Sequence, residues 1–390
     1  MADQSPITPP SDESSNHHFE DQQIMLNKNL NDVVDKIETE IVETAQEKDH
    51  KQQVDDDEVL VDINAILLDN KMPPLLSESC CIYKVPHRIR QGNEEAYTPK
   101  LVSIGPLHCY NPRLQNMERH KQLLFKKFVD RSKSNTRLED LINYVKSAIP
   151  KVRACYLENI ELRERELVQL ILVDASFIIV LFLMRHENDK LFKAGSIMSI
   201  PLFLFTIVYD LLLLENQLPF FVLEGLFKLA FPPHICKDLK LPSFLELTFK
   251  FFSEYNEMQN IEPNPRIRIK HFTDLLRIFY LPTDEPKTST SIFKQYGSKD
   301  LSYSASELHE AGVKLKELKG SKGILELKFS GRDLEIPQIS VDDATETLFR
   351  NMIALEQCHY YSESYITDLL LYWIASSTRA KMWMSWFVNK

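Results

Sequence analysis

Apolar and polar positions change rhythm several times along this 390-residue chain. Residues 1–22 mix prolines, serines and acids with almost nothing to bury, the pattern of a disordered arm. From Leu26 the spacing tightens. Leu26, Leu30, Val33, Ile37 and Ile41 recur at steps of three and four with acids between them, which predicts an amphipathic helix of about five turns. The run EKDHKQQVDDDE (47–58) reads as a linker, and EVLVDINAILLDN then resumes helical spacing before Pro73. Residues 80–112, CCIYKVPHRIRQGNEEAYTPKLVSIGPLHCYNP, hold four prolines and only short apolar runs. They predict extended segments and turns rather than helix.

Helical spacing returns at Arg113, with Leu114, Met117, Leu124 and Phe128 on one face, and continues through 138–168. LILVDASFIIVLFLM (170–184) is apolar on every side except at Asp174, and SIPLFLFTIVYDLLLLENQ (199–217) is similar, with Pro201 suited to a helix start. PRIRIKHFTDLLRIFYLP (265–282) predicts a helix ending at proline, and 283–300 reads as a polar loop. Between 312 and 337, Leu325, Leu327 and Phe329 alternate with Glu326 and Lys328, and Gly320 and Gly323 precede the run, so a half-buried hairpin or small sheet is predicted. Helix resumes from Thr345, and no repeat of fixed period is visible. The pattern therefore predicts a mainly α fold with a small antiparallel β element, of the α+β class, its apolar helices buried. It divides the chain into a partly disordered acidic arm at 1–58, a globular domain at 59–371 and a Trp-rich tail at 372–390.

Charge sharpens that division. Residues 1–70 carry 18 acids against 4 bases, a net of −14, so the rest of the chain carries +4 of the total −10. The globular part offers no basic stripe for nucleic acid. Apolar runs of 14 residues (171–184) and 13 residues (197–209) fall short of the roughly 20 needed to span a bilayer, and an Asp within a span is costly. Both read as core helices. The C-terminal stretch from Tyr365 is amphipathic and Trp-rich but interrupted by Arg379 and Lys381, a pattern that admits a place on a membrane surface. Six cysteines without a CxxC pair suit reduced thiols and argue against a thiolate zinc site. The N-terminus lacks a basic segment followed by an apolar one, so no secretory signal is expected, and the location reads as cytoplasmic or membrane-associated.

Chemistry is harder to find. The chain has nine glycines and no GxGxxG, GxxxxGK[ST], GxSxG or HExxH, so no cofactor is expected. His87, His108 and His120 lie near Cys80, Cys81 and Cys109, but their spacing matches no known metal site, and hydrogen-bonded structural histidines are the expectation. The segment YDLLLLENQLPFFVLEGLF (209–227) sets Glu-Asn-Gln in the most apolar part of the chain. On a continuous helix Asp210 and Glu215 would stand about 140° apart, which argues against paired carboxylates. A helix stopped by Pro219 would place Glu215, Asn216 and Gln217 in its last turn. There the amides can donate to orphan carbonyls, and the Glu can accept an N–H or pair with Arg. The competing reading is an enzyme of unrecognised class using His108, Glu118, Asp210, Glu215 and Gln217, and convergence of these side chains in one pocket would favour it.

Seven motifs, in order, carry a resemblance: IYKVPHRIRQGNEEAYTPKLVSIGPLH (82–108), MERHK (117–121), VDASFIIVLF (173–182), DLLLLENQLPFFVLEGLF (210–227), HFTDLLR (271–277), ASELHEAGVKLKE (305–317) and LEIPQISVDDATETLFRNMIALEQC (334–358). Together they resemble the plant domain-of-unknown-function 247 family, also called UPF0481 proteins, over about residues 60–370. The resemblance implies a plant protein with a mostly helical domain and no established enzymatic activity. Family members typically carry a C-terminal transmembrane helix, and some grass members are implicated as pollen-side recognition determinants in self-incompatibility. This chain departs from the pattern at Cys109, where a second His often follows the GPxH motif, at Ala175, where glycine is usual, and after Leu371, where the membrane helix is missing. The expectation is a non-enzymatic interaction or recognition module with an unidentified protein partner and peripheral membrane association open to test.

Overall fold

The densest burial centres on a helix that has no polar face. The computed structural model describes residues 77–187, 200–281, 310–337 (322, 324, 325 and 327 excepted) and 344–376, together with Lys36. Apart from Lys36, the arm at 1–58 and the helix expected from Leu26 lie outside the described residues, as do the loop at 283–300 and the tail beyond 376. The chain divides into two compact units, Met1–Leu75 and Leu76–Lys390, and the hydrophobic core and the sheet both lie in the second.

Among the described residues this second unit opens with an extended stretch, interrupted by one-turn helix α1 (His87–Arg90) and a 3-10 turn at Glu94–Tyr97. Helices α2 (Glu118–Ser132) and α3 (Leu138–Ala154) follow and pack on α4 (Glu164–Glu187). Acids in the first turn of α4 and Arg185 and His186 in its last turn suit the helix dipole. Between them, Leu167 to Met184 is buried at almost every position. By length and composition alone α4 is the one described helix able to cross a membrane, yet 83% of its apolar window lies inside the protein, the behaviour of a core helix.

Helix α5 (Pro201–Leu211) starts on Pro201 as expected, but it stops at Leu211, well short of Gln217. Residues 212–219 form an irregular turn, and α6 (Phe220–Ala230) begins after Pro219. The leucines did not extend the helix because the turn is held by side chains from elsewhere. Gly225 of α6 lies against Tyr144 of α3, where a Cβ would stand 1.8 Å from the phenol oxygen. Helices α7 (Pro233–Leu239) and α8 (Phe244–Phe251) follow, the latter opened by a Ser243–Glu246 capping box.

The helix expected over 265–282 is shorter. It runs as α9 (Phe272–Tyr280), with His271 as its N-cap. Ile267 and Ile269 precede it in non-helical backbone and pack on the core. The sheet is mixed: β1 (Lys314–Glu317) pairs in parallel with β3 (Asp333–Ile336), and β2 (Lys328–Ser330) pairs antiparallel with β3 across the turn at Gly331. Phe329 is exposed. Helices α10 (Thr345–Cys358) and α11 (Tyr365–Ser376) complete the fold, which is mainly α with a small β element.

Two features of α4 give tests. Phe182 stacks against Phe251 with centroids 4.1 Å apart and contacts Phe244, Phe252 and Phe272, so Phe182→Ala should cost about 3–5 kcal/mol, measured by urea unfolding. Asp174 and Lys121 form a buried ion pair at 2.6 Å. Lys121→Met should cost about 3–5 kcal/mol by leaving the carboxylate unpaired. Adding Asp174→Leu should recover only part of it, because Asp174 also accepts the Gly105 N–H.

Candidate functional site

The stretch from Cys80 to Gly105 runs through a helical core without a sheet to receive its backbone. Each buried N–H and carbonyl there needs a partner. Cys81 and Ile82 donate to the carbonyl of Cys155 at the end of α3. The remaining partners are largely side chains set on the helices around it.

Asp210, at the end of α5, takes three consecutive N–H groups, from Lys100 (2.9 Å), Leu101 (2.7 Å) and Val102 (2.8 Å). Asn216 accepts from Ile104 at 2.7 Å and donates to the carbonyls of Val102 and Asp210. Asp174 accepts from Gly105 at 2.8 Å, while Lys121 donates to the Ser103 carbonyl at 2.8 Å. Gly105 has φ +74°, and a Cβ there would lie 2.4 Å from the Gln217 carbonyl oxygen, so only glycine fits. Gln217 donates to the carbonyls of Leu211 and Leu213 and accepts from Phe272 at the start of α9. Asn216 and Gln217 thus serve carbonyls left open where α5 ends.

Glu215 works at the outer end of this network. One carboxylate oxygen accepts from Val85 at 2.8 Å and from Arg90 of α1, and the other bonds His108 Nε2 at 2.9 Å. Burial opposes ionisation, but the His108 hydrogen bond, the Arg90 charge and the Val85 N–H together hold its pKa below the ordinary value. Burial pushes Asp210 up to about 6 against the pull of its three N–H donors. Burial also works against the Lys121 ammonium, but the carboxylates of Asp174 and Glu118 win, and its pKa stands above the ordinary value.

A second set ties the C-terminal helices to this frame. His271 donates from Nε2 to the Cys81 carbonyl at 2.9 Å and accepts the Asp274 N–H on Nδ1, which fixes a neutral ring. Burial lowers its pKa to about 4. Asn351 of α10 accepts from Leu214 and donates to the Ala96 carbonyl. Arg277 of α9 pairs with the fully buried Glu356 of α10, whose carboxylate also accepts the N–H groups of Ile366 and Thr367 at the start of α11.

The five side chains weighed for catalysis therefore fall in several places. His108 and Glu215 meet directly. Glu118 lies 2.7 Å from Lys121 on the Asp174 ion pair. Asp210 and Gln217 serve backbone groups and share no partner with Glu215. Asp210 and Glu215 do not stand on one helix at all, since α5 ends between them. His87 bonds Gln91, and His120 bonds the Asn116 carbonyl. No group of three or more metal-ligating side chains is placed to hold an ion among the described residues. Sequence reasoning missed Arg90, Lys121, His271, Asn351 and Glu356 as members of the network. The available signal was their position inside the motifs IYKVPHRIR, MERHK, HFTDLLR and NMIALEQC.

Comparison with known proteins places the chain in a family. A family model described as a plant protein of unknown function, DUF247, matches residues 82–373. The chain belongs to the DUF247 family. It is 32% identical over 335 residues to the UPF0481 protein At3g47200 of Arabidopsis thaliana, covering 79% of this chain and 68% of that one. It is 33% identical over 147 residues to a second Arabidopsis thaliana UPF0481 protein, At3g02645, covering 37% of this chain and 26% of that one. No solved structure matches it. The DUF247 match begins at Ile82, the residue that pairs with Tyr156 at the start of the extended segment.

Two outcomes are expected. Asn216→Leu leaves the Ile104 N–H and two carbonyls without partners and should cost upwards of about 3 kcal/mol, read from the shift in urea midpoint. His271 should make stability depend on pH. Its folded pKa lies below the ordinary 6.5, so the unfolded chain binds more protons between pH 6.5 and 4, and its stabilising contribution, complete above pH 6.5, is lost as pH falls through that window. Asp210, raised to about 6, acts with the opposite sign between about pH 4 and 6 and masks this in the wild type. The stability gap between wild type and His271→Gln should therefore shrink by about 3 kcal/mol from pH 7 to pH 4, measured by urea unfolding at four pH values.

Proposed function

We propose that this DUF247 chain is a non-enzymatic protein-binding module whose motif residues build the fold and leave recognition to the surface. The observation that carries the reading is the use made of the five candidate side chains. Asp210 and Gln217 hold backbone groups, Glu118 completes an ion pair, and Glu215 spends both oxygens on Val85, Arg90 and His108. The cavity lined by Tyr255, Phe279 and Phe349 includes none of the five. Recognition of a protein partner, of the kind the family resemblance implies for self-incompatibility determinants, fits a chain built this way. Peripheral membrane contact through the Trp-rich stretch from Tyr365 belongs to the same proposal.

One observation favours an enzyme instead: the His108–Glu215 pair keeps 12% of the His108 side chain open to solvent. The two readings separate on Glu215→Gln. As a structural lock, Glu215 should cost about 3 kcal/mol or more when neutralised, because Arg90 loses its buried partner. Complexes purified from plant tissue should then contain a stoichiometric protein partner with the wild type and lose it with the variant only to the extent that the fold melts. A small-molecule turnover abolished by Glu215→Gln at unchanged melting temperature would overturn the reading. Carbonate washing of membranes from the same tissue tests the surface contact, with release into the supernatant expected.

A further inference from the structure

A cavity of about 160 Å³ opens between the 3-10 turn at Ser253–Asn256, the end of α9 and the start of α10. That is the size of an apolar cavity that accepts a benzene ring. Its inner walls are aromatic and aliphatic: Phe279, Leu348 and Phe349 are buried there, and the Tyr280 and Phe349 rings meet with centroids 5.7 Å apart. Its mouth is acidic. Glu254 and Glu257 stand three residues apart along a 3-10 turn and its cap, a spacing that eclipses side chains and sets both carboxylates on one side. Both are exposed, and no ion pair among the described residues engages either. The lining contains no Lys, Arg or His.

A pocket with aromatic and aliphatic walls, mixed with polar groups, and two carboxylates in its lining selects for charge as well as shape. A neutral apolar group would fill it without using the carboxylates, and an anion would be repelled. A cation on an apolar stem satisfies both halves, since its stem displaces water from the aromatic walls and its charge sits between carboxylates and ring faces. From this we infer that the cavity is a binding site for an organic cation, an ammonium or guanidinium carried on a short apolar stem. The inference is independent of the non-enzymatic reading above, because none of the candidate catalytic side chains lines this cavity. Two sources share the chemistry: a free amine, and a Lys or Arg side chain offered by a protein partner.

The test is calorimetric titration of the full-length chain with n-hexylammonium, with n-hexanol as the neutral match and hexanoate as the anionic one. The ammonium should bind at least tenfold more tightly than the alcohol, and hexanoate should bind less than either. Glu254→Gln with Glu257→Gln should erase the preference for the ammonium at an unchanged melting temperature, since both side chains are exposed. Met258→Trp, which narrows the mouth, should weaken ammonium and alcohol alike. The peptide acetyl-Ala-Lys-Ala-amide distinguishes the sources. Tighter binding than hexylammonium points to a partner's side chain, and weaker binding points to a free amine. Equal affinity for ammonium and alcohol, or an undiminished preference in the double variant, would overturn the inference.

Discussion

An extended segment buried among helices must have its backbone hydrogen bonds supplied from outside, and the rest of this fold is arranged around that demand. In a sheet the neighbouring strand would supply them at no cost in side chains. Here the neighbours are helices, whose own backbone groups are already used. Side chains must therefore reach in: Asp210 for three successive N–H groups, Asn216 for an N–H and a carbonyl, and Asp174, Lys121, His271 and Asn351 for one each. Every one of these is itself buried, so each would be costly without the segment it serves. Segment and side chains stabilise each other or neither is stable.

That mutual dependence accounts for the placement of the polar residues in this chain's motifs. In this chain the polar side chains of the network are spread along several helices because the segment they hold passes beside them. Glu-Asn-Gln appears in the most apolar stretch because the turn after α5 is buried, and three polar side chains there reach the segment and two helix ends. Gly105 is fixed by the Gln217 carbonyl that presses against it. Arg277 and Glu356 extend the logic to the C-terminal helices, where one buried carboxylate serves both an arginine and the first N–H groups of α11.

Much of the fold was legible in the sequence, and the losses have physical causes. The run of α4, apolar except at Asp174, the period of α2 and the proline-rich break at 80–112, apart from the single helical turn at His87–Arg90, were read from local pattern. The length of α5 was not, since Leu212, Leu213 and Leu214 are good helix formers and the turn that stops them is imposed by Asn351 and Thr273 from distant helices. The helix expected from Pro265 fell short because Ile267 and Ile269 pack on the core, half-buried, from non-helical backbone. In the sheet, expected as a hairpin or small sheet, β3 lies between β1 and β2, an order that no local period reveals. Among the candidate site residues, chemistry was visible and partnership was not. The sequence displays Asp210, Glu215 and Gln217 as polar exceptions, while their partners Lys100 to Val102, Arg90 with His108, and Phe272 lie far away along the chain.

The central claim is that side chains on helices protect the backbone of the extended segment as a sheet would. Native-state hydrogen exchange at Lys100, Leu101, Val102, Ile104 and Gly105 tests it most directly. These amides lie in no helix or strand, yet they should exchange as slowly as those of α4, through global unfolding alone. Exchange at the rate of an open loop, with α4 still protected, would show that the network does not hold the segment and would contradict the account.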